Sequence, residues 1–542
     1  MLWRVAILFA SLALLPSAAL AGTQNTFEGR LTLTKERSST FTVVTDPNNL
    51  ANAFGGAPKH LPPFDFTFVQ SGSTLIPTLR GAVPSSHPLW EFVLEPGTVT
   101  DQPGTGMSQA SLPFTLEEKN ENCTHNGVLS FAFRNDGTIS DVSYKIAAET
   151  CTYFQFDTSG SFAARYKPGK VAKAKQIIKA YKHEASTLLP TKTFADLKTL
   201  HPEIDVTQFG SPFEVNPADM TFYGLVLDGV NYLGGCNTRA AVYPFCGSMI
   251  APSYSVAKSV FASTMAMRLS KLYPKVMGQK IAGFVPECVA SGNWNDVTFA
   301  NALDMATGNY NSSLTEADEF SADMSQFFLP LTHADKIAFA CNHFPRKSPP
   351  GTLWVYHTPD TYNLATAMRA FYATKVGADH EFYSDLLIDP IWQPLNLHPA
   401  LNVTRRTYDD VAEPFAGYGL TLLPDDIAKL AIFLNNNHGA IGGTQMLDSA
   451  MLDAAMQRNP GDPGLRAGSD DLRYNNGYWA FNAQATLGCA APTWIPFMSG
   501  YGGITVALLP NGMTYYYVSD GNSYAWSRAV IEANKFRPFC NH

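Results

Sequence analysis

The rhythm of apolar and polar positions changes twice along this chain. Between about 26 and 164, short alternating runs such as Arg30-Leu31-Thr32-Leu33-Thr34, Phe41-Thr42-Val43-Val44 and Val128-Leu129-Ser130-Phe131-Ala132-Phe133 are broken by Pro, Gly and Asn-rich turns. A period of two is the mark of half-buried strands, so 22–165 is expected to be a β-rich accessory domain. No catalytic residue types cluster in it. Over 170–189 Ala and Lys dominate, with Val171, Ile177, Ile178 and Tyr181 at helical spacing, which predicts a linking helix inside a linker spanning 166–205. Its Lys173, Lys175, Lys179 and Lys182 read as a solvated face.

After Pro217 the pattern changes again. Apolar runs over 221–227 and 230–233 flank Asp228-Gly229, a strong hairpin signal because a tight type I′ turn needs positive φ at both central residues. Helical patterns follow over 255–272, ended by Pro274, and over 426–434, where Asp425 or Asp426 can cap the first turn. A second hairpin is expected from 503–509 and 513–518 around Pro510-Asn511-Gly512. Strands at both ends with helices between them predict an α+β domain over 206–542, its terminal strands joined in one antiparallel sheet.

Composition narrows the function classes. Of 542 residues, 45% are hydrophobic and 15% charged, ample for a core. The net charge of -8 offers no basic field for nucleic acid or anionic lipid, so neither is an expected partner. Arg4, an apolar run over 5–15, Pro16 and Ala19-Leu20-Ala21 read as a signal peptide over 1–21. The run is shorter than the roughly 20 residues of a membrane span, and no later stretch is long enough. A secreted or periplasmic protein with no stable membrane span is expected. Eight cysteines without a C-x-x-C or His/Cys cluster point to structural disulfides, with no metal and no cofactor. Pairing near neighbours gives Cys123 with Cys151, Cys236 with Cys246, Cys288 with Cys341 and Cys489 with Cys540. Asn122, Asn311 and Asn402 each begin an N-x-Ser/Thr sequon.

The candidate chemistry centres on Ser255-Val256-Ala257-Lys258. Positions three apart share a helix face, so Lys258 can point its amine at the Ser255 hydroxyl. A lysine whose pKa is lowered by desolvation can take the serine's proton and make it a nucleophile. The helix start adds free backbone N–H groups suited to an oxyanion. A second element is Pro349-Pro350-Gly351-Thr352-Leu353-Trp354-Val355-Tyr356-His357-Thr358, a Pro-Gly turn feeding an extended stretch that would hold Tyr356 rigidly. A phenol beside an ammonium can act as a phenolate-like base.

The order hairpin, S-x-x-K helix, P-G-T-x-x-x-Tyr and terminal Gly-rich strand resembles the serine β-lactamase and penicillin-binding-protein superfamily. The nearest branches are its class C β-lactamases, esterases and 6-aminohexanoate-dimer hydrolases. The helix over 296–308 and the segment from Gly417-Tyr418-Gly419-Leu420 to Asp426-Ile427-Ala428-Lys429-Leu430 are similar to family segments, and the likeness spans roughly 213–530. It implies a β-lactamase-like domain with Ser255 as nucleophile, Lys258 and Tyr356 as proton-transfer partners, and the N–H groups of Ser255 and Tyr501 as oxyanion hole. The third motif departs: Met498-Ser499-Gly500 stands where the family has Lys, His or Trp followed by x-Gly, and Thr358 stands where Asn, Ser or Asp is usual. Gly500 suits a strand that passes close to substrate. Met498 cannot hold a substrate carboxylate, which shifts the expectation from β-lactams toward other esters and amides.

No G-x-S-x-G elbow, H-E-x-x-H, Walker or dinucleotide motif is present, and His357 reads as packing beside the motif. The expectation is therefore a secreted serine hydrolase acting through an acyl-enzyme on a small ester or amide, esterase-leaning. A penicillin-binding or β-lactam-hydrolysing enzyme is one alternative. The other is a catalytically silent binding or sensor protein, favoured by Met498 and disfavoured by the retention of Ser255, Lys258 and Tyr356.

Overall fold

The alternating runs of the first part fold into one antiparallel sheet of eleven strands, running from Gly29–Leu33 to Ala164–Pro168, which pair with each other. The computed structural model describes residues 23–34, 40–237, 239 and 242–540, so the signal-like segment lies outside the described residues. Met107–Glu118 and Thr124–Phe133 form the longest ladder of this sheet. Phe27, Phe68, Phe92, Phe114 and Phe131 fill its inner face in edge-to-face contacts. The helix that follows, Ala174–Thr187, buries no residue fully, as its lysine-rich sequence predicts.

A second sheet of nine strands organises the rest. Its opening hairpin pairs Met220–Leu227 with Val230–Gly235, and Asp228 (φ 49) and Gly229 (φ 78) supply the two left-handed residues of the turn. Met220–Leu227 also pairs with Thr514–Ser519, which joins the early and late strands as expected for an α+β domain. One face of the sheet is covered by helices Phe194–Leu200 and Ser527–Phe536 around Leu225, Tyr515 and Ala529. The other packs against a helical region that includes Thr264–Leu272, His333–Asn342, Thr358–Val376 and Pro424–Ala431.

The helix behind Ser255 is apolar on every side: Val260, Phe261, Ala262, Met265 and Ala266 are all within 1% of fully buried. Burying each large side chain contributes about 1.5–3 kcal/mol, so this element is anchored on all faces. It does not run as the plain α-helix expected from 255. Lys258–Ser263 is a wide π-helical stretch before Thr264–Leu272. Hydroxyls are the local cause: Ser259 and Ser263 donate to the carbonyls of Gly477 and Asn476 (2.6 and 2.5 Å), and Thr264 donates to Ser259 O (3.2 Å).

The two sheets are tied together by buried polar contacts. Asn126 exchanges both its amide groups with the backbone of Ile250 (2.8 and 3.1 Å), Thr150 meets Thr221 (2.9 Å), and Arg405 joins Glu91 and Glu117. Asn122 donates to Leu420 O (2.7 Å) and is fully buried, so this sequon is closed to glycosylation, whereas Asn311 and Asn402 are exposed. All four near-neighbour disulfides are formed: Cys123–Cys151, Cys236–Cys246, Cys288–Cys341 and Cys489–Cys540. Among the described residues no helix is long and apolar enough to cross a membrane.

Candidate active site

Three distant segments converge on one amine. Lys258 Nζ donates to Ser255 Oγ (2.9 Å), Thr358 Oγ1 (2.8 Å) and Gly417 O (3.2 Å), which uses all three of its donors. Its side chain is 2% exposed, and burial lowers its pKa to about 8 against the opposing pull of Glu319. Lys258 is therefore an ammonium that can give up its proton close to neutral pH. Thr358, far from weakening the site, bridges it: its hydroxyl accepts from Lys258 and donates to Glu319 Oε1, and its N–H donates to Glu319 Oε2 (2.8 Å).

Tyr356 lies with its ring centroid 4.9 Å from Lys258 Nζ and lines the same cavity as Ser255. The expectation of a phenolate-like base does not hold. Burial first, then the Glu319 charge, push Tyr356 well above an ordinary phenol, so it keeps its proton and can only donate it near neutrality. His357 is buried beside the motif, stacked on Phe344 (4.2 Å) and hydrogen-bonded to Asp318 (3.0 Å), away from Ser255.

Ser255 sits in the turn just before the helix, after Tyr254 in a left-handed conformation (φ 38) that costs roughly 1–3 kcal/mol and is held by the surrounding packing. Strand Trp494–Gly500 ends beside it. A Cβ at Gly500 would lie 2.8 Å from Ser253 O, so only glycine allows the strand to approach the turn. Among the described residues, no backbone carbonyl takes up the N–H of Ser255 or of Tyr501, which leaves both available to an oxyanion.

A cavity of about 650 Å³ opens over Ser255, lined by Tyr356, Ser499, Gly500 and Tyr501 together with aromatic rings and the carboxylates of Glu316 and Glu319. Met498 and Thr358, expected to meet substrate, lie behind its wall at 1% and 2% exposure. Strand alternation is the reason for Met498: Phe497 and Ser499 face the cavity, so the residue between them turns into the core beside Tyr478 and Val506.

Solved structures similar to this chain include a 6-aminohexanoate-dimer hydrolase from Bacillus anthracis (17% identity, 59% of this chain and 78% of that one, TM-score 0.44). Others are a family VIII carboxylesterase (19% identity, 62% and 97%, TM-score 0.42) and a class C β-lactamase (14% identity, 59% and 91%, TM-score 0.41). No protein-family model matches the chain, and no curated protein matches it either. What the chain does chemically therefore rests on Ser255 and its neighbours.

Sequence reasoning missed Glu316, Glu319, Trp479 and Trp526. The two glutamates sit in a polar loop and the tryptophans on strand and helix starts, where no spacing marks them. The one available clue was Thr358, whose short hydroxyl reaches both Lys258 and a carboxylate.

Proposed function

We propose that this chain is a secreted serine hydrolase that cleaves small esters, or amides of similar size, through an acyl-enzyme on Ser255. The observation that carries the reading is the buried Lys258 amine, 2.9 Å from the Ser255 hydroxyl and brought near neutrality by desolvation. In its neutral form Lys258 takes the Ser255 proton as Oγ attacks the carbonyl carbon. The N–H groups of Ser255 and Tyr501 hold the resulting oxyanion, and protonated Tyr356 donates to the departing oxygen or nitrogen. Lys258 then passes the Ser255 proton to Tyr356 and is neutral again; water entering the cavity gives its proton to Lys258 as it attacks the acyl carbon, and that proton returns to Ser255 Oγ as the acid leaves.

Esters without a carboxylate suit the site best, because two glutamates and no basic side chain line the cavity. The signal-like start and four disulfides support export, and residues 22–165 and 206–542 are read as an accessory module and a catalytic module joined through 166–205. The test is covalent labelling by a fluorophosphonate probe, paired with hydrolysis of a neutral butyrate ester and a cephalosporin. Labelling and ester turnover should both vanish in Ser255→Ala, and the cephalosporin should be nearly untouched by the wild type. Equal labelling of Ser255→Ala would place the nucleophile elsewhere.

A further inference from the structure

The walls of the cavity specify more than an ester. An unbroken aromatic surface runs from the site outward: Tyr356 stacks on Trp479 (5.9 Å), Trp479 on Phe497 (6.0 Å), and Phe497 meets Trp526 (5.4 Å). Tyr501 and Tyr524 line the same space. Facing these rings are Glu316 and Glu319, and no Lys or Arg is among the lining residues. Glu319 is engaged by Thr358, but Glu316 makes no ion pair among the described residues. Burial, then the neighbouring Glu319 charge, hold the Glu316 carboxyl above its ordinary range, and no cation acts on it.

Aromatic faces and a half-buried carboxylate without a counter-cation, here Glu316, attract the same ligand, because the negative face of a ring and a carboxylate both favour a positive, weakly hydrated group. We propose that the substrate carries an ammonium or quaternary ammonium group, held between Glu316 and the Trp479–Phe497–Trp526 wall while its acyl carbon meets Ser255. This deepens the hydrolase reading and rests on it for the position of the scissile bond. A cation there also disfavours the charged form of Lys258, so substrate binding and deprotonation of the base act in the same direction.

The test separates the pocket from the chemistry. Ser255→Ala protein is titrated with phenyltrimethylammonium and with tert-butylbenzene, its uncharged isostere, and followed by tryptophan fluorescence. The cation is expected to bind about 10- to 100-fold more tightly, and Glu316→Gln in that background should remove most of the difference. Equal affinity for the two probes overturns the proposal, and this comparison needs no Glu316 variant to fold. In parallel, the Ser255 protein is given the butyrate esters of choline and of 3,3-dimethylbutanol, its neutral counterpart. A kcat/KM ratio of about 10 or more for the cationic ester supports the proposal. A ratio near one sinks it and leaves the hydrolase intact. Tight binding of phenyltrimethylammonium with neither ester cleaved and no fluorophosphonate labelling keeps the pocket and removes the enzyme.

Discussion

Replacing Glu319 by Gln removes the negative charge that faces Lys258 across the Thr358 hydroxyl while keeping an acceptor oxygen for one of the two Thr358 donors. Two hydrogen bonds separate ammonium from carboxylate, a span of about 5 Å. At an effective dielectric near 20, unit charges at about 5 Å interact by about 3 kcal/mol. Glu319 is only half-buried, so solvent screening leaves roughly half of that. The remainder, about 1.5 kcal/mol, corresponds to about a tenfold change in the proton equilibrium of Lys258, or about one pH unit.

The sign follows from which form works. Neutral Lys258 is the base, so kcat/KM of the wild type should rise with pH through about 8, the value burial gives Lys258. Glu319 stabilises the ammonium; without it the proton leaves earlier, and the acid limb of Glu319→Gln should move down by about one pH unit. The plateau above the limb should fall, because a weaker base accepts the Ser255 proton less readily. The assay is kcat/KM for a neutral ester between pH 5.5 and 9.5 in both proteins. A limb that stays in place or moves up would refute the base assignment.

Three further outcomes follow from the same geometry. Lys258→Ala and Tyr356→Phe should each slow acylation by about 10²- to 10⁴-fold, read from the rate of fluorophosphonate labelling. Asp304 is half-buried, accepts from Asn476 N–H (2.6 Å) and is raised by desolvation to about 7, so its folded form prefers the proton. Stability should therefore decline as pH rises from about 4 through 7, and Asp304→Asn should raise Tm most at pH 8, less at pH 5 and not at all below about pH 4. Removing the Cys123–Cys151 bridge, which closes a separation of 28 residues, should cost about 3–4 kcal/mol in denaturant unfolding of the oxidised protein.

Short-range patterns account for what the sequence made legible. Asp228-Gly229 predicted its hairpin because the turn is decided by two φ angles, and 255–258 predicted a serine–lysine contact because helix geometry relates positions three apart. The role of Tyr356 was misread because a phenol's proton affinity depends on burial and on Glu319, 37 positions away, neither of which spacing records. Met498 was placed in the pocket by counting back from Gly500, but the pleat decides which alternate residue faces substrate, and here Ser499 does. The sequence could not separate the Asn122 sequon from the other two for a similar reason: its side chain donates to Leu420, a partner 298 positions distant.

The accessory sheet bears on the site through those same long-range contacts. Thr152 donates to Asp520 O (3.1 Å) and the Tyr153 ring lies 6.3 Å from Tyr501, so one end of the first sheet packs against the loop that carries the proposed oxyanion donor. On the other side of the nucleophile, Asn122 and Ser253 share the backbone of Leu420, with Ser253 Oγ accepting its N–H (3.1 Å) and Asn122 donating to its carbonyl (2.7 Å). Ser253 is two residues from Ser255, and its carbonyl is the atom that Gly500 approaches. Both halves of the proposed oxyanion hole thus lean on residues 122–153, a region bridged by Cys123–Cys151. An oxyanion hole contributes only when its donors are held in place before charge develops. The β-rich region, in which no catalytic residue types cluster, thus packs against the segments that carry Tyr501 and Ser255, the two proposed oxyanion donors.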